Sequence, residues 1–99
     1  MVYDPGALHV ALSAAVGDDP SLIAELRGVF LDSASEHVAT LARAQSEADW
    51  QVAAWRLQGL AASFGAVALM ALAEQAATGA LGDPVVLRRI RAAIAAFDG

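Results

Sequence analysis

Cysteine is absent from this 99-residue chain. That excludes a disulfide framework and any thiolate-held metal, and it fits a reducing compartment. The N-terminus has no basic stretch leading into an apolar core, the arrangement of a secretory signal. Together the two absences make the cytoplasm the expected location. No run of residues is apolar enough to cross a bilayer. The longest uncharged stretch, Leu57 to Ala73, is interrupted by Gln58, Gly59, Ser63 and Gly65, and it falls short of the ~20 apolar residues a span requires. It reads as two buried helices with a turn between them. Positive charge is scarce: six arginines face eleven acidic residues, for a net charge of −5. Phosphate backbones are bound by basic faces, so nucleic acid is not an expected partner. Weak net acidity mostly serves solubility.

What the chain has in quantity is alanine, which supplies much of its 58% hydrophobic content. Alanine is the best helix former and β-branched residues are few, so composition points to an all-α protein. The length suits one domain, residues 1–99, with a modest core. All three prolines follow an aspartate: Asp4-Pro5, Asp19-Pro20 and Asp83-Pro84. Aspartate caps helix N-termini and proline is at home in the first turn, so each pair predicts a helix start. Helices are predicted from Pro5 to Val16, from Pro20 to Ala44, from a cap at Asp49 to Ser63, from Ala66 to Thr78 before Gly79, and from Pro84 to Phe97. The second carries Leu22, Ile23, Leu26, Phe30, Ala34, His37 and Leu41 on one face, the spacing of an amphipathic helix. Leu69, Leu72, Ala73 and Ala76 mark the inner face of the fourth. Leu87, Ile90, Ile94 and Phe97 mark that of the last, opposite Arg88, Arg89 and Arg91. Short connections make neighbouring helices antiparallel.

The segment Ala54-Trp55-Arg56-Leu57-Gln58-Gly59-Leu60-Ala61-Ala62-Ser63-Phe64-Gly65-Ala66 resembles the signature of the histidine phosphotransfer (HPt) family. That signature reads Ala-His-x-Leu-Lys-Gly, then small residues, then Gly-Ala. Ala54, Leu57 and Gly59 match in place, and Gly65 and Ala66 follow at the family's interval. Gly17-Asp18-Asp19-Pro20, Leu22 and Phe30-Leu31 are similar to the opening of the family's second helix. Asp49-Trp50 resembles the acidic start of its histidine-bearing helix. The resemblance spans nearly the whole chain. It implies an HPt-like antiparallel four-helix bundle, with the short N-terminal helix packed across one end. It also implies a place in two-component phosphorelay signalling, with the receiver domain of a response regulator, or a sensor kinase, as partner.

Two departures fall on the family's chemistry. Trp55 stands where the phosphoacceptor histidine belongs, and Gln58 stands where the family has lysine. A histidine attacks phosphorus through the lone pair of a neutral imidazole nitrogen. The indole nitrogen of tryptophan is a donor only, so Trp55 cannot carry a phosphoryl group. Gln58 cannot offset phosphate charge as a lysine would. The expectation is therefore no enzyme activity, no catalytic residue and no cofactor, in a module that binds its partner without transferring phosphate.

The orientation of Trp55 follows from helical geometry alone. At about 100° per residue, Trp50, Ala53, Ala54, Leu60, Ala61 and Phe64 fall within roughly 60° of Leu57 and form the core stripe. Trp55 falls about 160° away, beside Gln51, Gln58, Gly59 and Ala62. A large aromatic on the outer face of a helix, among small or uncharged residues, is a typical interface anchor. The predicted partner-binding residues are Trp55, Gln51, Gln58, Gly59, Ala62 and Arg56. The alternative is a self-associating module that buries Trp55 in a homodimer. His9 reads as a surface residue and His37 as core or its boundary. The two histidines share no HxxxH or HxxE pattern, so no metal is expected. The serines at 13, 33, 35 and 63 have no visible base partner.

Overall fold

The computed structural model describes residue 17 and residues 19–98. The helix expected from Pro5 to Val16, with His9 on it, lies outside the described residues. Four α-helices make up the rest: α1 Pro20–Ala42, α2 Glu47–Ser63, α3 Val67–Thr78 and α4 Pro84–Asp98. No strand occurs among the described residues, and none of the helices is long and apolar enough to cross a membrane.

Local chemistry fixes the ends. The Asp19 carboxylate accepts from the backbone N–H of Ser21 at 3.0 Å and of Leu22 at 3.2 Å, with Pro20 opening α1. Asp83 repeats this before Pro84, accepting from the Val85 N–H at 2.9 Å. The second helix departs from expectation. Its cap is Ser46, whose hydroxyl accepts from the Asp49 N–H at 3.1 Å. Asp49 is instead an acidic residue of the first turn, where it meets the positive end of the helix dipole. Serine caps as well as aspartate, and it sits three residues earlier. The turn after α2 needs glycine. Gly65 has φ +69°, the Ala66 N–H reaches the Ala61 carbonyl at 2.8 Å, and the Gly65 N–H reaches Ala62 at 3.2 Å. This pair of bonds is a Schellman closure, with glycine in the left-handed position. Ala66 belongs to that turn, and α3 begins at Val67.

Helix α1 packs against α2 and α4, and α3 packs against the same two. The core they enclose is built on Phe30, Leu41, Trp50, Leu57, Leu69 and Ile90. Phe30 meets the ring of Phe64 at 5.0 Å and that of Phe97, edge to face, at 5.4 Å, the tilted geometries aromatic pairs prefer. On α1 the buried set is Ile23, Phe30, Ala34, Val38 and Leu41. Leu22, expected inside, is exposed in the first turn, and His37 is half-buried at the boundary while its neighbour Val38 goes inside. A β-branched apolar residue gains more from burial than an imidazole, which must find a hydrogen-bond partner there. No polar or charged residue is buried among the described residues.

Candidate functional site

Helix α2 turns two faces to different surroundings. Trp50, Ala53, Ala54, Leu57 and Ala61 are buried, and Leu60 and Phe64 are partly buried against them. On the other side Trp55 is 57% exposed, with Gln51, Arg56, Gly59 and Ala62 also exposed. Gln58 is half-buried at the flank of this face. The six predicted residues thus lie on one helix, five of them open to solvent. Sequence reasoning missed Val52, which is 42% exposed. It sits about 140° from Leu57 and one turn before Trp55, so the same wheel places it beside the tryptophan.

Gly59 stands in the middle of α2, one turn after Trp55. A Cβ built at this position would meet nothing within 4 Å. A glycine inside a helix costs roughly 1 kcal/mol relative to alanine. Here neither a positive φ nor a close neighbour in the fold calls for it. What the missing Cβ leaves is bare backbone beside an exposed indole, where another surface can approach closely.

A cleft of about 360 Å³ adjoins this face, between the end of α1 and the first half of α2. Thr40, Arg43, Asp49, Val52 and Arg56 line it. Val52 and Arg56 therefore belong to both the cleft and the tryptophan face. A larger groove of about 500 Å³ lies between α3 and α4, lined mostly by alanines with Gln75 and Arg89. Among the described residues it brings together no acid–base pair.

The face offers contact and little chemistry. Trp55 presents an indole that donates one hydrogen bond and accepts none. His37 is on a different helix, and no group of histidine, aspartate and glutamate capable of holding a metal occurs among the described residues. The hydroxyl of Ser63 is engaged with the Gly59 carbonyl at 2.9 Å. Comparisons with protein-family models, with curated proteins and with solved structures return no match to this chain.

Proposed function

We propose that this chain is an HPt-like signalling module that docks a response-regulator receiver domain, or a sensor kinase, through the outer face of α2 and transfers no phosphate. It would act as a competitor, scaffold or regulator. The observation that carries this reading is the exposure of Trp55 at the position where the resemblance puts the phosphoacceptor histidine. A partner shaped for that face meets a rigid apolar anchor instead of a nucleophile. An antiparallel four-helix bundle is part of the same reading. It is supported by the hydrogen bond from Trp50, near the start of α2, to the Ala76 carbonyl near the end of α3.

The test is a panel of purified receiver domains from the source organism, titrated against the wild-type chain and Trp55→Ala. One receiver should bind the wild type and lose most of that affinity with the variant. Incubation with the same receiver in its phosphorylated form should leave the chain's intact mass unchanged. A phosphoryl adduct on His9 or His37 would end the claim that phosphate is not transferred. Sedimentation across a concentration series separates docking from self-association, since a Trp55-dependent dimer would favour the homodimer reading.

A further inference from the structure

Charge on the α2 face is one-sided. Between Asp49 and Glu74 the only charged residue is Arg56. In a chain of net charge −5, α2 itself thus carries no carboxylate beyond its first turn. Arg56 is exposed, and so is Arg43 across the cleft. Neither guanidinium makes an ion pair or hydrogen bond among the described residues. Asp49 is the one carboxylate lining the cleft among the described residues, so the two arginines leave that lining net positive. Arg43 has a local reason to be basic, because it caps the C-terminus of α1, where the helix dipole favours a cation. Arg56 lies mid-helix and gains nothing from either end.

We propose that the partner is a protein whose contact surface carries carboxylates, which Arg43 and Arg56 receive while Trp55 and Val52 fill the apolar centre. The planar guanidinium fork matches a carboxylate through two parallel hydrogen bonds. An apolar centre with a charged rim is ordinary interface anatomy. Two arginines beside an aspartate are too few to hold a polyanion against the repulsion of the remaining acids, so nucleic acid and anionic membranes fit less well. A second copy of the chain could offer Glu25, Asp32 and Glu36, all exposed along α1, but two copies repel through their like net charge.

This inference rests on the docking reading above and deepens it. The experiment titrates the receiver that binds the wild-type chain against Arg43→Glu, Arg56→Glu, Arg56→Lys and Asp49→Asn, at low and at physiological salt. Arg88→Glu, which makes the same charge change on α4, is the control. Each reversal in the cleft should weaken binding about tenfold or more, with Arg56→Lys intermediate. Asp49→Asn should tighten binding, Arg88→Glu should leave it nearly unchanged, and added salt should weaken the wild type more than Arg56→Glu. All four substituted side chains are exposed, and a thermal melt of each variant verifies its fold. If both reversals bind like the wild type while Trp55→Ala does not, the carboxylate proposal fails and docking through α2 stands. If no receiver binds the wild type, both fall. A dimer in sedimentation that Arg56→Glu dissolves would identify the carboxylates as the chain's own and overturn the proposal.

Discussion

The two tryptophans of α2 stand five residues apart and have opposite surroundings. Trp50 is 1% exposed, and its indole N–H donates to the Ala76 carbonyl at 2.6 Å. Trp55 is 57% exposed, and its indole makes no hydrogen bond among the described residues. Five residues on a helix are about 500°, or 140° past a full turn, enough to move a side chain from the core to the outer face. Trp50 has what a buried indole needs, an apolar cavity for the ring and a carbonyl for its one donor. The carbonyl it reaches closes the last turn of α3, where it also accepts from the Gly79 N–H at 3.1 Å. Trp50 therefore ties the start of one helix to the end of the next. Trp55 does nothing comparable among the described residues. The same residue type serves the fold at one position and faces solvent at the other.

The largest effect should come from Trp50. Trp50→Ala removes a buried indole and leaves a cavity beside α3, a change that typically costs about 3–5 kcal/mol. Small domains have only about 5–15 kcal/mol in total, so the variant should melt tens of degrees lower or not fold cooperatively. Trp50→Phe keeps most of the ring volume and loses the hydrogen bond to Ala76. It should cost about 1–2 kcal/mol, read as a drop of roughly 5–15 °C. Circular dichroism melts of both decide it. A Trp50→Phe melt equal to wild type would mean that the bond contributes nothing.

Trp55→Ala should invert that pattern. The side chain is mostly in water already, so melting should move by no more than a few degrees. Binding through the α2 face should fall about thirtyfold, since central aromatic anchors cost ~2 kcal/mol or more when truncated and each 1.4 kcal/mol is a factor of ten. Fluorescence sharpens the contrast. In Trp55→Phe the remaining emission, from Trp50, should be blue-shifted and poorly quenched by acrylamide. In Trp50→Phe the emission, from Trp55, should be red-shifted and readily quenched. If the two variants quench alike, the two environments are not as different as the structure has them.

Much of this architecture could be read from residue spacing. The wheel centred on Leu57 separated inner from outer residues of α2, because one apolar stripe per amphipathic helix leaves few alternatives. The Asp-Pro pairs at 19–20 and 83–84 marked helix starts, because cap and proline act on their own backbone. What failed was competition between equally good local signals. Ser46 and Asp49 can both cap a helix, and only the chain's geometry decides that Ser46 does. His37 stands at the boundary, as its spacing allowed, but Val38, 100° away at the edge of the same stripe, was missed, because a small rotation of α1 decides whether it goes inside. The cleft holding Arg43 and Arg56 was not legible at all. Arg43 caps the end of one helix and Arg56 lies within the next, and no sequence period relates two helices across a groove.

The smallest expected effect is the most discriminating. Gly59→Ala adds one methyl group at a helix-interior position where the fold leaves open space. Alanine is the better helix former, and it also reduces the freedom of the unfolded chain. Stability should therefore rise by about 0.5–1 kcal/mol, a gain of a few degrees in melting temperature. If a partner seats against the backbone beside Trp55, the same methyl group holds it off, and affinity should fall several-fold. The two signs are opposite, so neither general damage nor general stabilisation of the chain can produce both. A melt and a binding isotherm on one variant are enough. Higher stability with unchanged affinity would show that the partner does not approach at Gly59, and would confine the contact to Trp55 and the cleft side of α2.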